Sequence, residues 1–307
     1  MAKNKLSVVL ATKNEEDNIG SCLESIKDIA DEIIVYDEFS EDRTREIAKK
    51  YVARVFKYQH KTNFHETKQK AIDKATGDWI LQLDADERAT RELREEIKKV
   101  INSSNDDLLN RVLSRPERTL SKVERGVEGY QKESELFKRH EGLIRKREGK
   151  LGNPTGEVVA FFIPRRNFFL GKPLIHAGVY PDGVIRLIKR GYARLPAKSV
   201  HEVMEVDGEV GWLFNDLEHH ESPNFDRYLT RMNRYTDLRA EELKQKNVPL
   251  NYWGLFKYSF LLPTSYFSLL YFRHKGFLDG TRGFVWSLFS AFHYPLAYFK
   301  YYQSVRS

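Results

Sequence analysis

The chain is poor in cysteine: Cys22 is the only one among 307 residues, and methionine occurs three times. A single thiol excludes a disulfide framework and a cluster of thiolate metal ligands, and it is typical of a protein in a reducing compartment. Long apolar runs are also missing, and the run in MAKNKLSVVLAT is too short for a secretory signal. A mean hydropathy of −0.58 excludes a polytopic membrane protein.

What the chain does contain is charge and aromatic side chains. Charged residues make up 31% and apolar residues 41%, a balance that excludes a disordered chain. Lysine and arginine number 51 against 44 acidic residues, so the net charge of +7 favours anionic partners. Of the 39 aromatic residues, nineteen lie between residues 252 and 302.

The first hundred residues alternate between short apolar runs and helical spacing. Strands are predicted at residues 6–11, 32–36, 53–58 and 79–83, and helices at 44–52, 64–75 and 91–101. This alternation predicts an α/β fold with a parallel sheet, in which ligands bind beyond the carboxyl ends of the strands. The polar segments 12–15, 37–42 and 84–87 follow three of these strands, so we expect them to converge.

The pattern changes after residue 105. Residues 106–150 hold twelve basic and nine acidic side chains with few large apolar ones, which is compatible with a solvated helical excursion or a mobile loop. Strand-like pieces return at 157–163, 184–188 and 200–206, and a polar helix is predicted at 222–246.

The strongest local chemical signal is Asp84-Ala85-Asp86-Glu87, directly after the apolar strand WILQL. Two carboxylates spaced by one residue at a strand end can both face one hard divalent cation. Mg²⁺ and Mn²⁺ bind one or two carboxylates together with substrate phosphates. The alternative for an isolated motif of this kind is a solvated turn that caps the next helix.

The surrounding motifs resemble those of a known family. ATKNEE, YDEFSEDRT and KQKAIDKATGDWILQLDADE are similar to the strand ends of glycosyltransferase family 2, whose members have the GT-A nucleotide-sugar-binding fold. IPRRNFFLGKPLIHAGVYPDGVIRLIKRGYARLP, VHEVMEVDGEVGWL and GFLDGTRGFVWSLFSAFHYPLAYFKYY resemble the lipopolysaccharide core β-1,4-glucosyltransferase type within that family. The resemblance covers about residues 5–100 and 157–302, with 106–150 as an insertion. It implies a catalytic domain at 1–246 and a region of aromatic amphipathic helices at 247–307.

The resemblance also implies roles for the donor side of the site. Asp37 would accept a hydrogen bond from the uracil imide, and Asp84 would contact the ribose or the metal. Relatives commonly have S-G-S-T-D where this chain has Glu38-Phe39-Ser40-Glu41-Asp42. The remaining nucleotide-sugar residues would be Thr12, Asn14, Glu15, Lys68, Arg165 and Arg166, the two arginines through paired N–H donors.

Sugar transfer needs a general base for the acceptor hydroxyl and a cation for the leaving diphosphate. The resemblance implies Asp182 in Tyr180-Pro181-Asp182 as the base, with Glu202 as the second candidate. Asp84, Asp86 and His201 would hold Mg²⁺ or Mn²⁺. Asp182 could instead hold a Pro-Asp-Gly turn, and His201 could be a partly buried structural histidine.

The C-terminal segment combines aromatic residues with basic charge. The apolar stretches 260–272 and 284–299 are each shorter than the roughly 20 residues of a spanning helix. Residues 252–302 hold five basic side chains and one acid, Asp279. Such helices are typical of a bilayer interface with anionic lipids. Packing on the domain or on a second subunit of an oligomer is the alternative.

The sequence therefore predicts an inverting, metal-dependent hexosyltransferase that moves glucose from UDP-glucose onto a lipid-linked or lipopolysaccharide-type glycan. Its expected location is the cytoplasmic face of the cell membrane, as a peripheral protein. One alternative keeps the fold and takes polyprenyl phosphate as the acceptor. A nucleic-acid-binding protein is an alternative from another class, but basic and aromatic residues are not interleaved as that class requires. A non-catalytic scaffold would follow if Asp182 and His201 were misplaced.

Overall fold

The computed structural model describes residues 3–59, 64–114, 133–148, 152–153, 155–196 and 204–306. The chain divides into two compact units. Unit 1 comprises Met1–Arg165 and Pro181–His219, and unit 2 comprises Arg166–Tyr180 and His220–Ser307. The limits of these units differ from the predicted domain boundary between residues 246 and 247. That boundary stays a prediction.

Unit 1 is built on a seven-stranded sheet. In their order across the sheet, the strands are β12 (Glu209–Trp212), β6 (Val158–Ile163), β9 (Val184–Lys189), β4 (Trp79–Leu83), β1 (Leu6–Thr12), β2 (Glu32–Asp37) and β3 (Arg54–Lys57). Strand β9 is antiparallel to both of its neighbours, and the other neighbouring pairs are parallel. The predicted α/β fold of GT-A type, with a mostly parallel sheet, is confirmed.

The helices of unit 1 cover both faces of this sheet, which is why every residue of β1 is buried. Val8 and Leu10 face one core, and Val9 faces the other. The register pairs Thr12 with Asp37 and Leu10 with Leu83, so the ends of β1, β2 and β4 lie side by side. The helices of this part are α1 (Ile19–Ile26), α2 (Thr44–Lys50), α3 (Phe64–Lys74) and α4 (Arg91–Ile101).

Of several short strands with polar sequences, only the strand at Glu205–Val206 lies within a predicted one. β5 (Glu87–Ala89) pairs antiparallel with the first residues of β13 (Leu217–Ser222), and β10 (Ala193–Arg194) pairs with β11 (Glu205–Val206). In unit 2, Phe168 and Phe169 of β7 (Arg165–Phe169) pair with β8 (Lys172–Pro173). Of the predicted strand at 200–206, only Glu205–Val206 is found as a strand; residues 200–203 lie outside the described residues.

The charged insertion contributes two helices, α5 (Asn105–Ser114) and α6 (Glu133–Glu148). Leu108 of α5 is buried in the first core. Phe137 and Ile144 of α6 are buried in the second core, beside Trp212 of β12. The described part of the insertion therefore packs on unit 1 through a few apolar residues, although nearly half of its side chains are charged.

Unit 2 is largely helical. The polar helix predicted at 222–246 is α7 (Phe225–Gln245), which begins after Asn224, whose side chain accepts a hydrogen bond from the Arg227 N–H. The rest comprises α8 (Tyr252–Phe256), α9 (Leu262–Ser268), α10 (Gly280–Arg306), π-helical turns at Lys257–Leu261 and Leu269–Arg273, and a 3₁₀ turn at Gly276–Asp279. Pro295 lies inside α10, so the predicted C-terminal stretch continues as one helix through this proline.

The aromatic residues of unit 2 fall into two groups. Tyr228 packs against Phe169 and Trp286 in a buried cluster, and the Tyr298 hydroxyl donates to the Pro249 carbonyl at 3.1 Å. Others are exposed, among them Trp253, Phe256, Phe260 and Phe272. No helix within the described ranges combines the length and the apolar character that crossing a membrane requires.

Candidate active site

The ends of β1 and β2 are joined by hydrogen bonds to a buried carboxylate. Asp37 is fully buried and accepts hydrogen bonds from the Thr12 hydroxyl at 3.3 Å and the Ser40 hydroxyl at 2.5 Å. The Ser40 N–H also donates to Asp37, at 3.0 Å, and the Asn14 N–H donates to the Ser40 hydroxyl at 2.8 Å. The structure therefore brings together Thr12, Asn14 and Asp37.

The neighbouring residues complete this strand-end cluster. The Glu15 N–H donates to the Thr44 hydroxyl at 2.8 Å. Glu38 is almost fully buried and accepts a hydrogen bond from the Thr67 hydroxyl of α3. Phe39 has φ of 54° and is 53% exposed, so a bulky residue adopts a left-handed conformation beside the cluster. Of the two extra acids of this chain, Glu38 is thus satisfied by α3 and Glu41 is exposed, and the extra aromatic side chain points outward.

Asp84, at the end of β4, is held between two cations. Lys68 Nζ lies 2.5 Å from Asp84 Oδ1, and Arg186 Nη2 lies 2.5 Å from Asp84 Oδ2. Burial alone would raise the pKa of Asp84, but the charges of Arg186 and Lys68 hold it well below its usual range. Asp84 is therefore a carboxylate at neutral pH. Lys68 contacts it directly, and the nucleotide-binding role of Lys68 stays a prediction.

A chain of alternating charges links Asp84 to Asp182. Arg186 Nη2 also lies 2.7 Å from Glu87 Oε1, and Arg165 Nη1 lies 3.5 Å from the same oxygen. Arg165 Nη2 lies 2.7 Å from Asp182 Oδ2. Burial opposes the charge of Arg165, yet Asp182 and Glu87 raise its pKa. Two arginines and the fully buried Glu87 thus hold Asp84 and Asp182 in one network.

A cavity of about 630 Å³ lies beside this network, within unit 1. This volume is within the range of small-molecule sites. Its polar lining includes Lys68, Gln82, Arg165, Asp182 and Arg186. Its apolar lining includes Leu143, Ile144, Phe162, Leu195 and Met204. The Asp182 side chain, 35% exposed, is therefore accessible from the cavity.

The second carboxylate of the motif, Asp86, lies beside a histidine that the sequence gave little weight. His219 Nε2 of β13 lies 3.6 Å from Asp86 Oδ2. His201 and Glu202 lie outside the described residues. Within the described part of the chain, no group of three or more His, Cys, Asp or Glu side chains could hold a metal ion by itself. The protein thus offers the carboxylates of Asp84 and Asp86 here, and a cation would need ligands from the substrate as well.

The two arginines predicted for the diphosphate are consecutive residues of β7, so their side chains leave the strand on opposite faces. Arg165 takes part in the network through Glu87 and Asp182. Glu87 and His219 are not among the predicted site residues. A usable signal for Glu87 is its alternation with Ala89 in β5, which places both side chains on one buried face.

Comparison with known proteins identifies the family of this chain. The model of Glycosyl transferase family 2 matches residues 7–162, half of the chain. The lipopolysaccharide core biosynthesis glycosyltransferase LpsC of Rhizobium meliloti (strain 1021) is 24% identical and spans 98% of this chain and 93% of its own length. An uncharacterized glycosyltransferase of Rickettsia typhi (strain ATCC VR-144 / Wilmington) is 39% identical over 103 residues, 34% of this chain and 35% of that protein.

Among solved structures, glucosyl-3-phosphoglycerate synthase from Mycobacterium tuberculosis, in complex with Mn²⁺ and uridine-diphosphate-glucose, is 24% identical. The match covers 33% of this chain and 41% of that one, with a TM-score of 0.29. The family match spans strands β1 to β4, the Asp84 motif and helix α3. The chain is therefore a glycosyltransferase and belongs to glycosyl transferase family 2.

Proposed function

We propose that the protein is an inverting, metal-dependent hexosyltransferase that moves glucose from UDP-glucose onto a lipid-linked or lipopolysaccharide-type glycan. One observation carries the proposal. The network Asp84–Arg186–Glu87–Arg165–Asp182 holds a donor-side carboxylate and an acceptor-side carboxylate at its two ends, beside one cavity. A direct displacement requires the donor and acceptor groups to be held in line. A network of ion pairs would keep the distance between Asp84 and Asp182 fixed.

The donor nucleoside would bind at the ends of β1 and β2. Asp37 is buried and ordered by Thr12 and Ser40, which suits an acceptor for the uracil imide N–H. Asn14 and Glu15 follow on the same strand end and would line the ribose pocket. Lys68, on α3, reaches the Asp84 carboxylate and would lie near the diphosphate.

A divalent cation fits the donor set of this site. Asp86 would supply one hard oxygen ligand, and Asp84, whose two oxygens contact Lys68 and Arg186, would supply a second by exchanging one of these contacts for the ion. Mg²⁺ or Mn²⁺ would take its remaining ligands from phosphates and water. His219 lies beside Asp86 and His201 is the histidine that the family resemblance implies. Bound there, the ion would offset the negative charge that develops on the departing diphosphate.

In the proposed reaction, the acceptor hydroxyl attacks the anomeric carbon while the bond to the diphosphate oxygen breaks. Asp182 takes the hydroxyl proton, and UDP leaves with the bonding electron pair. Arg165 fixes the orientation of Asp182 through the 2.7 Å contact to its Oδ2. Glu202 is the second candidate for the base.

The acceptor would be presented at the inner face of the membrane. Trp253, Phe260 and Phe272 are exposed, and the acid of this segment, Asp279, is buried against His176, 3.0 Å away. The exposed charges of Arg273 and Lys275 are both positive, which suits an anionic lipid surface. The same surface suits polyprenyl phosphate as acceptor, and extraction of the labelled product into organic solvent distinguishes this carrier from a lipopolysaccharide-type glycan.

The test is UDP release from UDP-glucose in the presence of Mn²⁺ and deep-rough lipopolysaccharide. We expect the wild-type chain to release UDP, Asp86→Ala to release it at least a hundredfold more slowly, and chelation by EDTA to stop it. Unchanged release by Asp86→Ala would contradict the metal assignment. Failure of the wild type with every nucleotide sugar would contradict the function itself.

A further inference from the structure

Helix α6, the second helix of the insertion, contacts the turn next to the proposed base, Asp182. Phe137 stacks on Trp212 with ring centroids 4.2 Å apart, and the Trp212 indole N–H donates to Glu141 Oε1 at 2.8 Å. Trp212 lies on β12, so the helix is fixed to the sheet at this point by one stacked pair and one buried hydrogen bond.

The turn that carries Asp182 is enclosed by these groups. His140 Nε2 lies 2.9 Å from the carbonyl oxygen of Gly183. A Cβ added to Gly183 would lie 2.6 Å from Trp212 Cζ3 and 3.2 Å from His140 Nε2, so no larger residue fits. The position of Asp182 is therefore determined on one side by Arg165 and on the other by α6.

The next turn of α6 presents apolar side chains to the cavity. Leu143 and Ile144 both line it, and Leu143 is 58% exposed. When a ligand covers an exposed leucine on a cavity wall, the burial of its apolar surface makes the free energy of binding more favourable. Asp182, Arg165 and Arg186 line the same cavity, so it presents both apolar and charged groups to a ligand.

This arrangement matches one side of a sugar acceptor. A sugar ring has an apolar C–H face and a rim of hydroxyl groups, and the ring that reacts must place one hydroxyl at the base. Thr12, Asn14 and Asp37, the residues proposed for the nucleoside, are absent from the cavity lining, whereas Asp182 is part of it together with Lys68 and Arg165 of the diphosphate side. The part of the cavity next to α6 adjoins the Asp182 turn through His140, so we assign this part to the acceptor.

We propose that helix α6 forms the acceptor-binding wall of this glycosyltransferase, with Leu143 covering the C–H face of the acceptor sugar and His140 positioning the Asp182 turn. The inference rests on the proposed function. It assigns helix α6 to acceptor binding, in a charged segment to which the sequence alone gives no role.

The test compares three variants of α6 with the wild type. Transfer from UDP-glucose is measured onto deep-rough lipopolysaccharide and onto polyprenyl phosphate, and hydrolysis of UDP-glucose is measured without acceptor. Leu143→Ala should raise the KM for the acceptor about fivefold and leave the KM for UDP-glucose unchanged, since the exposed side chain contacts only the acceptor. His140→Ala should lower kcat of both transfer and hydrolysis about tenfold, and His140→Gln, which keeps an N–H donor, should restore most of it.

Lys138→Ala is the matched control, because Lys138 is exposed on the same helix and does not line the cavity. Its kinetic constants should equal those of the wild type, and all variants should unfold at similar temperatures. The inference is wrong if Leu143→Ala changes the KM for UDP-glucose instead of the acceptor KM, or if His140→Ala hydrolyses UDP-glucose as fast as the wild type. A wild type that neither hydrolyses nor transfers from any nucleotide sugar contradicts the proposed function instead.

Discussion

Arg165 Nη2 lies 2.7 Å from Asp182 Oδ2, and the same guanidinium faces the buried carboxylate of Glu87 at 3.5 Å. The residue proposed as the base is therefore held by a cation that is itself held by an acid. Through Arg186, this acid is linked to Asp84 on the donor side. Arg165 acts through Asp182 and is best described as a positioning residue.

Replacement of Glu87 tests this network. Glu87→Gln leaves Arg165 and Arg186 without their shared carboxylate, and removing one partner of a buried ion pair costs about 3 kcal/mol. We expect the free energy of unfolding in urea to fall by about this amount and transfer to slow at least tenfold. The conditions for kinetics are chosen so that the variant remains folded.

Glu96→Gln is the matched control for that variant. Glu96 is also buried, pairs with Arg111 and accepts a hydrogen bond from the Phe214 N–H at 2.9 Å, away from the cavity. It should lose comparable stability with unchanged kcat and KM. Equal kinetic losses in the two variants would mean that Glu87 has only a structural role.

Gly183→Ala tests how tightly the Asp182 turn is enclosed. The added methyl group would overlap the Trp212 ring, so the turn must move. We expect a loss of about 1–3 kcal/mol in unfolding free energy, as for overpacking in a core, and a loss of transfer. Gly142→Ala on α6 is the control: nothing lies within 4 Å of its Cβ position, so helix propensity should stabilise the protein by up to about 1 kcal/mol. Full activity in Gly183→Ala would show that the turn is not held as described.

From the burial of Tyr228 in unit 2 we predict a loss of stability at alkaline pH. Burial raises the pKa of Tyr228 to about 12, against about 10 in an unfolded chain. Between these pH values the unfolded chain loses the proton and the folded protein keeps it, so stability present below pH 10 decreases up to about pH 12. Tyr228→Phe should remove about 2 to 3 kcal/mol of this decrease, measured by urea unfolding from pH 8 to 12. Tyr252 is exposed, so Tyr252→Phe should leave the decrease in stability unchanged. An equal effect of both variants would exclude the burial of Tyr228 as the cause of the decrease.

The C-terminal surface predicts binding to anionic bilayers. In vesicle flotation, the wild type should bind phosphatidylglycerol vesicles more strongly than phosphatidylcholine vesicles, because aromatic and basic groups are exposed together. Trp253→Ser with Phe260→Ser should reduce binding at least tenfold, since both side chains are largely exposed in unit 2. Val52→Ser, which removes an exposed apolar side chain of unit 1, is the control. Equal binding of all variants would point to packing against another protein as the role of these aromatics.

The central strands could be predicted from the sequence because both of their faces are buried. β1 and β4 are buried at every position and mostly apolar, so their prediction needs no information from distant residues. β7 and β13 could not be predicted in this way. Their sequences, RRNFF and LEHHES, are polar, and β13 pairs with β5, more than a hundred residues away along the chain.

The site was predictable where a role belongs to one short motif and not where it depends on tertiary contacts. Asp37, Asp84 and Asp182 follow from strand ends and from the family resemblance. Glu87 could not be separated from a helix cap, because its partners Arg165 and Arg186 come from strands distant in sequence. The role of α6 could not be predicted either, because its sequence is rich in charge and only a few of its residues contact Trp212.

The measurement that tests the account most directly is sugar transfer by Asp182→Asn beside Glu202→Gln. Asparagine keeps the size of the side chain and cannot take the acceptor proton, so transfer should fall by about 10²- to 10⁴-fold while UDP binding by calorimetry stays unchanged. Glu202→Gln should retain transfer within a few fold of the wild type. The account is contradicted if Asp182→Asn transfers glucose at the wild-type rate, or if Glu202→Gln alone abolishes transfer.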